Sequence, residues 1–318
     1  MEARRVWTVL GICSAVAFAA TLGLPLIGSS SISYTQAWAG VEPDHAILFE
    51  VRLPRVLLSM LTGGALALGG VLFQALLRDA LATPYTLGVS AGASFGAVLA
   101  ISLGMQSIWM SSMAGAAITL FIVLGVAMDR RGLSPFTLLL AGVTINSICM
   151  AGIVFLHSFA TFGQSFAIAR WLMGGVESVS MSTLSWLAAC VLPLALFCFS
   201  TARDWNLIAV GDEWAAARGV NTGRTLMAGY IIGSILTGAV TALTGPIGFV
   251  GLIVPHAIRL GFGADHRLLA PASFLIGAVF LAVCDTIARV ALAPAEVPVG
   301  VITSLVGGPV FIWILRTR

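Results

Sequence analysis

Ten apolar runs follow one another along this 318-residue chain, centred on residues 6–28, 54–77, 85–103, 107–128, 135–157, 183–201, 226–244, 247–261, 268–290 and 299–315. A helix needs about 20 apolar residues to cross the hydrocarbon of a bilayer, and all but the short eighth run come near that length. The runs are continuous instead of alternating. Since a spanning backbone must satisfy its own hydrogen bonds, they read as helices and not as barrel strands. Charged residues make up only 9% of the chain, against about a quarter in an ordinary soluble domain. The expectation is an all-α polytopic membrane protein of ten transmembrane helices, forming one membrane domain over residues 1–318 without a soluble domain or long linker.

All sixteen basic residues are arginine, and their placement sets an orientation, because basic loops stay on the cytoplasmic side. Ten spans put both termini on one side. With that side cytoplasmic, Arg4, Arg5, Arg78, Arg130, Arg131, Arg203, Arg218, Arg224, Arg259, Arg267, Arg316 and Arg318 fall inside, and only Arg52, Arg55, Arg170 and Arg289 fall outside. The outer segments also carry Glu42, Asp44, Glu50, Glu177 and Glu296, so the outer surface is mixed in sign and the inner one basic. The net charge of +3 therefore reports topology and not a nucleic-acid partner. Arg4 and Arg5 ahead of an apolar run resemble a secretory signal, but the run is long for one and reads as an uncleaved first span.

The absence of lysine excludes a Walker A loop, whose lysine reaches the β and γ phosphates. If transport consumes ATP, another polypeptide must hydrolyse it. Cys13, Cys149, Cys190, Cys198 and Cys284 all lie in apolar runs without paired spacing and read as small packing residues. His45, His157, His256 and His266 are scattered without ligand spacing, so no metal site is expected. Gly88, Gly92 and Gly96 recur every four residues, as in helices that pack closely. The segment Gly88-Val89-Ser90-Ala91-Gly92 also matches the hydrolase nucleophile elbow formally, but it opens an apolar helix and lacks the preceding strand and positioned base.

Three longer polar breaks, Ser29–Leu53 and Ser158–Ser182 outside and Thr201–Thr225 inside, have room for short helices along the membrane surface. Within Arg203–Arg224 a helix is expected over Asp212–Arg218. Acids at its start and arginine at its end suit the helix dipole, and Gly219 and Asn221 close it. This segment offers a contact for a cytoplasmic partner; an ordinary solvated loop helix is the alternative.

Seven blocks in order then carry a resemblance: RLPR (Arg52–Arg55), LGVSAGASFGA (Leu87–Ala97), LLLAGV (Leu138–Val143), WLMGG (Trp171–Gly175), GPIGFVGLIVPH (Gly245–His256), DHR (Asp265–Arg267) and EVPVGVITSLVGGPVFIWIL (Glu296–Leu315). The chain resembles the ten-helix permease subunits of type II ABC importers for iron siderophores, haem and vitamin B12. The resemblance implies an inner-membrane protein with no cofactor of its own, ATP and Mg being held by a partner ATPase. It further implies a second permease copy or similar chain, two such ATPases, and a periplasmic substrate-binding protein. The binding protein would dock on Arg52, Arg55 and Arg289, whose forked donors suit carboxylates. Interfacial snorkelling, or for Arg289 a helical pair with Asp285, is the alternative; that pair is expected to exist in either case, since a lone acid inside the membrane is costly.

The ATPase would be met by Gly211, Asp212, Glu213, Ala215, Ala216, Arg218 and Gly219. The family usually places an arginine where this chain has Ala216. The cytoplasmic gate implied by the resemblance involves Asp79 and Leu81 with Ser134 and Pro135. Here too the chain departs, with Asp79-Ala80 where relatives commonly have Asn-Pro. Thr144, Asn146 and Ser147 of the fifth span are candidate pathway residues, equally suited to gluing spans together. The implied mechanism is alternating access by a passive conduit. The rival reading, an ion-coupled secondary transporter, has Asp285 as its clear intramembrane acid, with Arg289 close by. Siderophore iron is the expected cargo, with haem or cobalamin as the alternative.

Overall fold

The computed structural model describes residues 3–129 and 132–316. Arg130, Arg131 and Arg318, counted above with the inner arginines, lie outside the described residues. The elements in chain order are α1 (Ala3–Gly23), α2 (Tyr34–Trp38) and α3 (Asp44–Ala46), the last continuing through a π-helical turn (Ile47–Arg52) into α4 (Leu53–Leu77). Then come α5 (Val89–Ser102), α6 (Ile108–Ala127), α7 (Pro135–Ser158), α8 (Phe162–Leu172), α9 (Met181–Ser200), α10 (Ala202–Val210) and α11 (Asp212–Ala217). The chain closes with α12 (Thr222–Thr244), α13 (Val250–Phe262), α14 (His266–Val290) and α15 (Val299–Arg316). A two-residue antiparallel pair, Met128–Asp129 with Gly132–Leu133, joins α6 to α7.

The ten runs correspond to α1, α4 to α7, α9 and α12 to α15, and each of the three polar breaks holds at least one short helix. Among the described residues, seven helices are long and apolar enough to cross a membrane, whereas α5, α13 and the apolar part of α15 (Val299–Trp313) are shorter. The run expected from residue 85 becomes helical only at Val89, because Gly88 adopts φ +79° and Thr83 to Gly88 form turns. At about 1.5 Å per residue, the 14 residues of α5 reach about 21 Å, short of a hydrocarbon core of about 30 Å.

Non-helical backbone is tolerated within a bundle when protein meets its polar groups. The segment after α8 shows how: Gly175 N donates to Thr244 O at 2.8 Å, and Gly300 N donates to Gly174 O at 3.1 Å. The WLMGG, GPIGF and EVPVG blocks are thereby brought together at the ends of α12 and α15.

At the centre stands α4, buried along nearly its whole length. Glycine makes this possible. Gly63 lies against Gly277 and Leu281 of α14, Gly64 against Phe274, and Gly70 against the backbone of Gly251 in α13, so a Cβ at any of the three would collide. The largest apolar cluster joins Leu58, Leu66 and Leu72 of α4 to Leu236 and Val240 of α12, Leu269 and Leu281 of α14, and Val191 of α9. Large apolar side chains on α6, α7, α9 and α15, among them Phe121, Phe155, Trp186 and Ile312, face outward.

Candidate functional site

Polar chemistry gathers at the two ends of the antiparallel pair α4 and α14. At one end the π-helical turn and the first turn of α4 present Arg52 and Arg55, and the last turns of α14 present Asp285 and Arg289. Asp285 is 1% exposed and is met from two sides. Arg55 Nη2 lies 3.1 Å from its Oδ1 and Arg55 Nε 3.3 Å from both oxygens, while Arg289 Nε stands 3.2 Å from Oδ2 in an ion-pair contact without hydrogen-bond alignment. Arg289 Nη2 donates to Thr286 Oγ1 at 3.1 Å. Arg55, 11% exposed, turns its remaining edge to Glu296, with Nη1 donating to Oε2 at 2.9 Å.

Arg52 is 4% exposed, lying under the loop that follows α1. Its guanidinium donates to Ser30 O and, at 3.1 Å, to Ser30 Oγ, and it fills the space a Cβ on Gly28 would need. Of the three arginines expected at a docking rim, Arg55 and Arg289 thus share buried Asp285, Arg55 also reaches exposed Glu296, and Arg52 is bound separately to Ser30. A free carboxylate or guanidinium at this depth would be costly, so each charge is held beside an opposite charge or a hydrogen-bond acceptor. Arg170, expected on the same side, makes a separate exposed pair with Glu177 at 2.6 Å.

At the opposite end, α10 and α11 form two short helices broken at Gly211. Asp212 and Glu213 occupy the first turn of α11, and Gly219, at φ +84°, closes the segment before Asn221 caps α12 by accepting from Arg224 N at 3.1 Å. Ala215 is buried while Glu213, Ala216 and Arg218 face out; the Arg218 guanidinium lies 5.3 Å from the centre of the Trp214 ring.

Three spans hold this pair of helices. Arg78, the left-handed cap of α4, donates from Nε to Ile208 O at 3.1 Å and pairs with Asp212. Asn206 donates to Asp265 Oδ1 at 2.8 Å and accepts from the backbone and ring of His266 at the start of α14. Trp205 packs against Gly229 of α12. A hydrogen bond from Arg267, more than that from Asn206, holds the Asp265 carboxyl well below the usual carboxylate range.

The residues expected at the gate share this end. Asp79 Oδ1 accepts from Leu81 N at 2.9 Å, making a turn that leaves Leu81 exposed. Ser134 caps α7 by accepting from Thr137 N at 3.3 Å, with Pro135 at its first position. Ala82 beside the first turn and Leu133 beside the second enter one apolar cluster with Ile208, Ala215, Leu226 and Tyr230. Both turns and the α10–α11 pair therefore rest on a common core.

Elsewhere the candidates separate. Thr144 and Ser147 lie on the open flank of α7, each hydroxyl bonded to its own helix, at Leu140 O (2.8 Å) and Val143 O (3.0 Å); Asn146 is half-buried. Gly92 and Gly96 meet Gly115 and Ser111 of α6, whereas Gly88 precedes the helix and meets Gly142 of α7. Their four-residue spacing thus serves two contacts, because the chain turns at Gly88. Ser90 of the formal elbow is 1% exposed and begins a helix instead of following a strand.

The pattern of the FecCD transport family matches residues 12–317. The chain belongs to the FecCD transport family. It is 39% identical over 307 residues to the hemin transport system permease HmuU of Yersinia pestis, covering 93% of this chain and 92% of that one. It is 40% identical over 275 residues to the vitamin B12 import system permease BtuC of Citrobacter koseri, covering 84% and 82%. An inward-facing structure assigned to a metal-chelate type ABC transporter superposes with TM-score 0.87 at 28% identity, covering 98% of this chain and 100% of that one.

Several contacts of this FecCD permease escaped the sequence reading. The sequence marks Arg78 only as a basic residue at the end of an apolar run, whereas in the fold it reaches α10 and α11. Glu296 entered only as an outer acid. The stitch from Arg259 Nη2 to Gln74 Oε1 (2.8 Å) and from Gln74 Nε2 to Gly251 O (3.2 Å), which ties α4 to α13, had no local signal.

Proposed function

We propose that this chain is the membrane-spanning permease of an ATP-driven importer that receives an iron–siderophore complex, or a related metal chelate, from a periplasmic binding protein and releases it into the cytoplasm. One observation carries the reading. Helices α4 and α14 pack along each other through glycine contacts, sharing the arginine cluster at one end and holding the α10–α11 pair at the other through Arg78 and Asp265. A carrier on one end and an ATPase on the other would then act on the same two rods. Each partner shifts the transport cycle only by binding its two states unequally.

In this reading Arg52, Arg55 and Arg289 orient an acidic carrier, which favours association rate and register more than raw affinity. Gly211 to Gly219 meet the ATPase, which holds ATP and Mg, and two permease copies enclose the path with the turns at Asp79 and Ser134 as the inner gate. The open flank of α7, with Leu140, Val143 and Ile148 around Thr144 and Ser147, suits a bulky cargo that must leave as readily as it enters. The protein sits in a bacterial inner membrane with both termini cytoplasmic. Haem or cobalamin, the cargoes named for HmuU and BtuC, is the alternative. The ion-coupled reading is disfavoured because Asp285 is occupied by two guanidinium groups.

Reconstitution in liposomes tests the proposal. Uptake of a radiolabelled ferric siderophore should require ATP inside, a cognate ATPase and the binding protein. Uptake by this chain alone under a proton gradient would refute it, and parallel assays with haem and cobalamin assign the cargo.

A further inference from the structure

We propose that Glu296 is a resident stand-in for the carrier's carboxylate: it occupies Arg55 while no carrier is docked and is displaced when one arrives. This rests on the docking reading above and adds a step to it. The guanidinium of Arg55 is divided between two acids of different standing. Its Nε and Nη2 face Asp285, which belongs to the interior of α14 and is sealed from solvent. Its Nη1 faces Glu296, which is 52% exposed and belongs to the segment joining α14 to α15. The first contact is fixed by helix packing. The second can open by rotation of one surface side chain.

Charge makes the exchange necessary. A carboxylate arriving at Arg55 seeks the Nη1 edge that Glu296 now holds, because the other edge is buried against Asp285. Two carboxylates crowded on one donor repel each other, so docking and the Arg55–Glu296 contact exclude one another. The local balance permits the exchange. Arg55 and Arg289 offset Asp285 and Glu296, and Arg52, three residues before Arg55 and bonded to neutral Ser30, leaves an excess positive charge that stays attractive to an acid throughout.

The placement of Glu296 gives the exchange a route inward. Val297 N donates to Ala288 O at 3.1 Å, and Gly300 at the start of α15 donates to Gly174 O. Glu296 thus sits on the segment that fixes α15 to the end of α14 and to the chain after α8, so a carrier that draws its side chain away from Arg55 acts beside that junction. Small anions that cannot supply a full surface of contacts would leave Glu296 in place, so the contact also sets a threshold for productive docking.

The test uses the full permease–ATPase complex in nanodiscs. The probes are the binding protein of the reconstituted importer, immobilised on a biosensor, and poly-L-glutamate as a soluble imitation of an acidic surface. Glu296→Gln should tighten carrier binding about fivefold or more, chiefly through faster association, as expected when a competing rim charge is removed. Arg55→Gln should weaken binding, and adding Glu296→Gln to it should change nothing further. An unchanged melting temperature for Glu296→Gln confirms an intact fold.

If Arg55→Gln weakens docking but Glu296→Gln leaves it unchanged or weaker, the stand-in is refuted and the docking reading survives. If Glu296→Gln tightens binding equally with Arg55 absent, the effect is general electrostatics and the stand-in is again refuted. If Arg55→Gln has no effect on either probe, the docking reading fails and this proposal fails with it.

Discussion

The two ends of the α4–α14 pair handle charge in opposite ways. At the end carrying Arg52, Arg55 and Arg289, the arginines are withdrawn from solvent and locked to Asp285, Glu296 and Ser30. At the end carrying α10 and α11, Arg203, Arg218 and Arg224 are exposed, and attachment joins buried Trp205, Ile208 and Ala215 to the polar contacts of Arg78 and Asn206. The first end is held by charge pairing, fixed at buried Asp285 and open to exchange at exposed Glu296. The second is a shaped apolar footing with exposed charge on its surface. The difference suits the two kinds of work proposed above: recognising an acidic carrier in one orientation, and accepting mechanical displacement from an ATPase.

The sharpest way to break this comparison is to remove one acid from each end. Asp285→Ala leaves two buried guanidinium groups without their shared partner and should destabilise the permease by about 3–5 kcal/mol. Asp212→Ala removes an acid whose pair with Arg78 is over a third exposed on both sides, and should cost less than about 1 kcal/mol. Thermal unfolding of the detergent-solubilised protein, followed by tryptophan fluorescence, compares the two. Equal losses would erase the distinction drawn above.

A smaller effect is expected where neither end is touched. Gly92→Leu forces a side chain into the Thr119 side chain and the backbone of Gly115 and should cost about 1–3 kcal/mol through overpacking, by the same unfolding assay. Arg78→Ala should separate stability from function: it loses an exposed pair worth no more than about 1 kcal/mol, yet it frees α11 from α4. The expected result is near-normal melting with a severalfold drop in ATP-driven uptake and continued ATP hydrolysis. Normal uptake would remove Arg78 from the path between the ends.

The smallest effect concerns pH. Asp265 is held below the usual carboxylate range by Arg267 and Asn206, so its contribution is complete above the unfolded value of about 3.9 and is lost as pH falls below that, through the depressed folded value. Stability between pH 5 and 8 should therefore be insensitive to Asp265, and Asp265→Asn should flatten only the steep acid limb. A change near neutrality would place the titrating group elsewhere.

Much of this was legible in the residues. Continuous apolar runs located ten helices because each run must bury or face hydrocarbon over its whole length, and the acids at the start of α11 with Gly219 at its close marked a short helix between two of them. The expectation that Asp285 needs Arg289 came from the cost of a lone charge in a membrane, and the two do meet. The short reach of α5 and α13 was less legible, since an apolar run shows where backbone is protected but not whether it coils. The turns at Gly88 and around Gly245 carry Pro84 and Pro246, but they lie partly buried among other segments and hold no charged residue, so the apolar runs continue through them.

Local chemistry along the chain thus determined the class, the helices, the arginine-rich blocks and the family. Only tertiary packing decided that Arg55 divides itself between Asp285 and Glu296, that Arg52 is covered by the loop after α1, and that Arg78 and Asn206 fasten α10 and α11. Those contacts join residues up to 241 positions apart. No periodicity in the sequence encodes such a pairing; it follows from glycines that let α4 and α14 approach until their ends share the same few ångströms.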